Sequence, residues 1–478
     1  MTEDKQKERW IVVAYIAVYI VLALFTAAFG TAILLKDITA MSKASTVLPV
    51  AVGIFVCYFA TMIYARYILN KDKDIECSVL KGNLIILPTL FLNILASCTI
   101  FAFSMPGSMP IAFSSLIITM MLRQRLGLMC TFTTTVGSLL LCAMVNDGVD
   151  LATIISMISS ALTGIFMIFL IRRRYTRFRL TWGTILIAIA MIPLTFLLGL
   201  VQGISYAKAS IELALEVFIG NMISIASFTI TLPIYESIFR IWTDFKLAEL
   251  CSFNQPLLKR LREEASGTFN HSMIVANLAE NCAIAIGLNP FMARACAYFH
   301  DIGKIKNPRF FVENQMDGYN PHDELIPEVS ASMITRHVAD GTEILKEYRM
   351  PNEVIKAAGE HHGDSPVMYF YLKAKVITEG ELDMDEYRYD SDLPTTKYSA
   401  IIMICDVCEA MIRSKAPNSE EELNEMIGGI IKDKMLDGQF DNCDLTIHDM
   451  VVIKQTICNI IPTMLHKRID YNKAKDRR

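Results

Sequence analysis

The sequence predicts an all-α protein in two parts, a polytopic bundle of transmembrane helices followed by a polar helical domain. Long apolar runs broken by short polar connections extend from Trp10 to about Phe239, charge at the density of a soluble domain begins at Arg240, and all 8 histidines lie after residue 270. With 53% hydrophobic and 20% charged residues over 478 positions, the chain as a whole is too apolar for an ordinary soluble protein. The expected domains are 1–239 and 240–478.

A bilayer core needs about 20 apolar residues per helix. Eight segments qualify as candidate spans: Trp10 to Leu35, Thr46 to Tyr64, Asn83 to Phe103, Met109 to Leu122, Gly127 to Val145, Leu151 to Ile171, Leu180 to Val201 and Leu213 to Tyr235. Met109 to Leu122 is the shortest. Lys5, Lys7 and Arg9 precede the first run as in a signal peptide, but the run is long and lacks a convincing cleavage site, so it reads as a retained anchor.

Lys and Arg concentrate on cytoplasmic connections, because translocating them is unfavourable. One alternating set of connections holds Lys5, Lys7, Arg9, Arg66, Lys71, Lys73, Lys81, Arg123, Arg125, Arg172, Arg173, Arg174, Arg177 and Arg179; the other holds only Lys36, Lys43 and Lys208. The rich set is therefore cytoplasmic. An even number of spans puts both the N-terminus and the C-terminal domain there as well, with the lipid bilayer as the partner. Intramembrane charge is sparse, Glu216 being the most noticeable and near a span end, so the bundle reads as an anchor or sensor rather than a pump.

The net charge of -4 and pI near 6.1 provide no basic field, which argues against a long nucleic acid and leaves room for a small nucleotide. The 12 cysteines are scattered, many in apolar segments, as expected of buried thiols in a reduced compartment. Cys405 and Cys408 form an isolated CxxC without the second pair that a structural zinc requires.

In the polar half, helical periodicity such as Met273, Ile274, Ala276 and Leu278 surrounds a recurrent set of donors. They are His271 in FNHSMIVANLAE, His300 and Asp301 in ACAYFHDIGKIK, His337 in ITRHVADG, His361 and His362 in AAGEHHGD, and Asp406 in MICDVCEAM. A single buried histidine is usually satisfied by a backbone carbonyl, but seven such residues in this order indicate a metal site. Imidazole with carboxylate suits iron, manganese or zinc, and a carboxylate beside a histidine can bridge two ions of the kind that promote in-line attack on phosphorus. His322, His448 and His466 lack such settings.

The chain here resembles the bacterial seven-transmembrane HD proteins that hydrolyse cyclic di-AMP. PIYESIF, LLKRLREEASGTFNHS, HDIGKIKNPRFFVENQ, NPHDELIPEVSASMI, HVADGTEI, HHGD, YFYLKA and CDVCEA carry the resemblance over most of the polar half. The resemblance implies a cytoplasmic HD domain with its metal core at about 265–415. It implies two divalent ions, iron or manganese, one held by His271, His300, Asp301 and Asp406, with Asp301 bridging to a second held by His337, His361 and His362. Neighbouring helical residues diverge by about 100°, so His361 and His362 can both ligate only near a helix end. Lys304, one turn beyond His300, is a candidate to neutralise a phosphate oxygen, and Arg388 a second phosphate contact. Asp301 and Lys304 are thus the expected catalytic residues.

Two departures stand out. Family members usually carry a large extracytoplasmic domain after the first span, where this chain has only Lys36 to Ser45. The family's Pro-Gly-Pro loop after its aromatic-Arg-Tyr run is replaced: Tyr387, Arg388 and Tyr389 are followed by Asp390, Ser391 and Asp392. The expected function is hydrolysis of cyclic di-AMP to a linear dinucleotide; a homodimer is compatible with it. The alternatives are a receptor that binds a nucleotide without turnover, or the same chemistry on another cyclic dinucleotide, a guanosine tetraphosphate or a monoester. The tail from Asn418 is expected to be helical, with Leu423, Met426, Ile427 and Ile430 as a packing face, and carries no assigned chemistry.

Overall fold

A computed structural model describes the whole chain except residues 1, 36–43, 72–77, 104, 146–148, 172–176, 202–206, 316–317, 378–380, 416, 418 and 465–478. It divides into two compact units, Met1–Thr243 and Asp244–Arg478. Both are helical, and among the described residues the sole β pairing is an isolated bridge between Pro366 and Arg388.

The first unit contains α1 (Thr2–Leu35), α2 (Ala44–Lys71), α3 (Val79–Ala102), α4 (Ala112–Met121), α5 (Gln124–Val145), α6 (Leu151–Ile171), α7 (Arg177–Val201) and α8 (Ala207–Phe239). All but α4, seven helices, are long and apolar enough to cross a membrane. Their outward faces carry large apolar side chains such as Phe178, Leu186 and Ile230, whereas small and hydroxyl residues such as Thr26, Ser114, Thr134 and Ser159 are buried. That polarity suits helices packing in lipid, where small residues permit close approach and hydroxyls bridge neighbours. Thr61 and Thr133 lie 2.6 Å apart, Thr89 and Tyr235 3.0 Å, and Tyr19 donates to Asn83 at 2.8 Å.

The expected span at Met109 to Leu122 takes a different form. Its helix begins only at Ala112 and has 10 residues, a rise of about 15 Å, too short to cross alone. Pro106, Gly107 and Pro110 delay it, since proline lacks an amide donor. Irregular backbone at membrane depth must be enclosed by protein, and this segment packs on α8: Gly107 N–H donates to Glu216 Oε2 at 2.9 Å, and Ser108 Oγ to the Glu216 carbonyl at 3.1 Å. Glu216 thus has a structural partner. A Cβ on Gly220 would stand 2.6 Å from the Ser108 carbonyl carbon, so only glycine admits this approach. Several basic connections used above, including Arg172, Arg173 and Arg174, and the link at 36–43 lie outside the described residues.

The second unit runs α9 (Asp244–Leu250), α10 (Pro256–Glu264), α11 (Ser266–Ala285), α12 (Pro290–Phe299), α13 (Pro327–Glu347), α14 (Asn352–Glu360), α15 (Met368–Ile377), α16 (Lys397–Lys415), α17 (Glu420–Leu436) and α18 (Ile447–Met464). Short 3-10 turns occupy Ile302–Lys306, Pro308–Phe310, Val312–Asn314 and Pro321–Asp323. Asn289 caps α12 by accepting from the Phe291 and Met292 amides, with Pro290 at the first position. α11, α12 and α16 bury Ala276, Ala279, Cys282, Ala293, Cys296, Ala297, Cys405 and Cys408, small side chains that bring the three backbones close. The CxxC is therefore core. In the tail, α17 buries Leu423, Ile427 and Ile430, with Met426 half-buried.

Candidate metal centre

The second unit turns its histidines inward from separate helices. His271 shares a buried face of α11 with Val275, Leu278 and Cys282, His337 lies in α13, and Asp406 in α16. His300 follows the last turn of α12, and Asp301 opens the 3-10 segment. α14 ends at Glu360, so His361 is its cap and His362 lies in the following turn, which Gly363 completes at φ +55°.

The seven donors form two groups. Asp301, His337, His361 and His362 offer ligand atoms within 4.8 Å of one another, and so do His271, His300 and Asp406. Asp301 connects them. Its Oδ1 lies 3.2 Å from His337 Nε2 and 3.5 Å from His361 Nε2, while Oδ2 lies 3.3 Å from His300 Nε2 and 3.8 Å from His271 Nε2. His271 Nε2 also approaches Asp406 Oδ1 at 2.9 Å.

The opposite nitrogens are tied down. Nδ1–H donates to the Ala297 carbonyl from His300 and to the Ile334 carbonyl from His337, both at 2.7 Å, and to the Ala358 carbonyl from His361 at 3.0 Å. In His271 the acceptor is Glu409 Oε2 at 2.7 Å. Each ring therefore presents Nε2 to the interior. Buried His300 Nε2 and Asp301 Oδ1 have no hydrogen-bond partner among the described residues; buried polar atoms are rarely left so, and borderline divalent ions fit this imidazole and carboxylate set.

Burial pushes the Asp301 carboxyl up, but Lys304 and His300 outweigh it and hold it well below the carboxylate range. Burial likewise opposes protonation of His271, yet Asp406 and Glu409 raise it to about 9; for His300, Asp301 and Asp406 outweigh burial and raise it to about 10. His361 goes the other way, to about 4, through burial and the neighbouring imidazoles, and burial with His361 and His337 holds His362 well below its ordinary range.

Lys304 is clamped between Asp301 Oδ2 at 2.7 Å and Glu313 Oε1 at 2.9 Å, over the Phe311 ring. Arg388 Nη1 donates to the Asp364 carbonyl at 2.8 Å, bracing the turn after His361 and His362. Tyr389 stacks on His362 with centroids 4.2 Å apart. Three roles escaped the sequence reading, among them that of Tyr389, which enters it only within the aromatic-Arg-Tyr run. Glu409 lies three residues after Asp406 on the same face of α16, a spacing that could have flagged it. Glu313 lies in a three-residue 3-10 turn and Tyr389 in a segment outside the helices, neither with a periodic signal. His322 Nε2–H donates to the Phe310 carbonyl at 2.9 Å, His448 is exposed, and His466 lies outside the described residues.

Residues 45–243 match the family described as 7TM receptor with intracellular HD hydrolase, and residues 268–411 match the HD domain. Two curated relatives are named cyclic-di-AMP phosphodiesterase PgpH. That of Listeria monocytogenes serotype 1/2a (strain 10403S) is 38% identical over 369 residues, 77% of this chain and 50% of the relative. That of Bacillus subtilis (strain 168) is 33% identical over 370 residues, 76% of this chain and 51% of the relative. The chain belongs to the seven-transmembrane HD family. As a member of that family it is a multi-pass membrane protein with an HD domain. It spans about half the length of the curated relatives it matches. The crystal structure of the L. monocytogenes PgpH HD domain in complex with cyclic-di-AMP is 47% identical, covers 45% of this chain and all of that one, and has a TM-score of 0.43.

Proposed function

We propose that this chain is a membrane-anchored phosphodiesterase that hydrolyses cyclic di-AMP to the linear dinucleotide pApA, with its HD domain in the cytoplasm and two divalent ions, iron or manganese, in the centre. The reading rests on one observation above all: the two oxygens of Asp301 face separate imidazole groups. The names of the relatives, cyclic-di-AMP phosphodiesterase, support the choice of substrate. His271, His300, Asp301 and Asp406 would hold one ion, and Asp301, His337, His361 and His362 the other. Bound there, the ions supply the Lewis acidity that activates water and offsets phosphoryl charge.

The chain's own residues prepare that chemistry. Asp301 stays ionised because Lys304 is 2.7 Å away, and Glu313 fixes the lysine from the other side. Lys304 borders the centre at a point from which its ammonium can meet a non-bridging phosphate oxygen. Arg388 contacts the turn that carries His361 and His362, where its guanidinium adds positive charge for an anionic substrate.

The test uses the full chain in detergent, loaded anaerobically with iron or manganese and assayed against cyclic di-AMP and cyclic di-GMP. Turnover of cyclic di-AMP, lowered about a thousandfold or more in Asp301→Ala, is expected if Asp301 helps to hold both ions. Binding without turnover under every metal condition would replace the enzyme with a receptor.

A further inference from the structure

α17 and the turn after it reach back to the candidate metal centre from a stretch for which the sequence suggested no chemistry. Lys434, in the last turn of α17, donates from Nζ to Ser365 Oγ at 2.6 Å. Gln439, fully buried, donates to Asp364 Oδ1 at 2.5 Å and Asp437 Oδ2 at 2.9 Å. Ser365 N–H in turn bonds the His362 carbonyl at 3.2 Å. The ammonium of Lys434 therefore rests on the very turn that presents His361 and His362, one residue along from the carbonyl braced by Arg388.

The electrostatic setting of Lys434 separates it from Lys304, Lys306 and Lys397, which pair with carboxylates. Lys304 faces two carboxylates, as does Lys306, and Lys397 pairs with Asp449. Lys434 is half-buried and, among the described residues, forms no ion pair; its hydrogen-bond partner is a neutral hydroxyl. Burial pulls it below the usual lysine range, with Asp437, Asp406 and Asp364 offsetting this only in part. An under-neutralised cation at the rim of a phosphodiester site is a place for an anion.

A cyclic dinucleotide carries two phosphodiesters on one ring, each with one negative charge. While one is engaged at the metal centre, the other is held nearby by the ribose units and needs a cation of its own. We propose that Lys434, with Arg388 beside it on the same turn, forms the subsite for the substrate phosphate that is not being cleaved. This subsite rests on the cyclic-dinucleotide reading above and assigns α17 a role in selecting two-phosphate substrates.

The test compares the full manganese-loaded chain with Lys434→Met and Lys434→Arg on cyclic di-AMP and on bis(4-nitrophenyl) phosphate, which has a single phosphodiester. Loss of a charge-assisted contact is expected to raise the KM of Lys434→Met for cyclic di-AMP about tenfold, with a smaller change in kcat. The loss in kcat/KM is expected to be several-fold larger on cyclic di-AMP than on the nitrophenyl diester, with Lys434→Arg restoring most of it and manganese content equal in all three proteins. Equal proportional losses on both substrates would mean that Lys434 acts through the fold or the metal centre, and an unchanged KM that it does not meet substrate; either overturns the subsite. If the unaltered chain cleaves the nitrophenyl diester but neither binds nor cleaves a cyclic dinucleotide, the substrate reading itself falls, and the subsite with it.

Discussion

Glu409 fixes the His271 ring from behind, accepting from Nδ1 at 2.7 Å, and a carboxylate in that position both orients a ligand and strengthens its basicity. Glu409→Gln is expected to weaken manganese binding about 10- to 100-fold, which calorimetric titration of metal-free protein measures; unchanged affinity would reduce Glu409 to a packing residue. Protonation provides a second test. His271 and His300 are raised to about 9 and about 10, so in metal-free protein both are charged at neutral pH. Metal uptake must expel those protons, and about two should appear per molecule loaded at pH 7 in weakly buffered indicator. No release would contradict the assignment of these rings as ligands. The linkage has a definite sign. The raised pair stabilises the metal-free fold fully below the ordinary 6.5 and loses that contribution as pH rises through about 9 and 10. His361, lowered to about 4, has the opposite sense: below 6.5 the unfolded chain takes its proton while the fold does not, so acid destabilises. When metal occupies the rings the high-pH slope should disappear, whereas the loss of stability in acid should persist and include His271 and His300, because the unfolded chain takes protons that loaded rings cannot, as melting curves against pH would show.

Among the elements, the 3-10 segment from Ile302 to Lys306 sets how closely α13 approaches Asp301. Gly303 lies directly against α13, and a Cβ there would collide with the His337 carbonyl. Gly303→Ala should therefore push α13 and His337 away, lowering stability by about 1–3 kcal/mol, the usual range for overpacking, and reducing bound metal; thermal melting with metal analysis checks both. A variant that melts normally and binds a full complement of metal would show that the segment yields. The end of α14 performs the complementary task. Because the helix stops at Glu360, His361 and His362 escape the divergence of successive helical side chains, and Glu360 secures the stop by accepting from Thr395 N at 2.9 Å and Thr395 Oγ1 at 2.7 Å.

For the molecule as a whole, orientation in the membrane decides which compartment meets the HD domain. The distribution of Lys and Arg puts that domain in the cytoplasm if the segment that ends in α4 crosses once. A fluorescent protein fused after Arg478 should then fluoresce and an alkaline phosphatase fusion there should be inactive, since each reporter works on one side only. The reverse pattern would mean that α4 does not complete a crossing and that the substrate lies outside.

The sequence by itself determined the helical class, the change of character near Arg240 and the residue types that could serve a metal. Hydropathy over a span and apolar spacing over a helix are local properties, set by whether a segment meets lipid, water or a packed core. It also implied a helix end near His361 if both His361 and His362 are ligands, because that is a matter of local geometry. Only the tertiary structure decided that the two oxygens of Asp301 face different imidazole groups. The same holds for Glu313 clamping Lys304 and for Lys434 returning to the turn at Ser365 from 69 residues away. Those contacts join side chains from irregular segments or distant helices, and periodicity reports which face of a helix is buried but not what it is buried against. The short α4 has the same origin: Pro106, Gly107 and Pro110 interrupt the helix locally, but α8, with Glu216 and Gly220, makes the interruption tolerable.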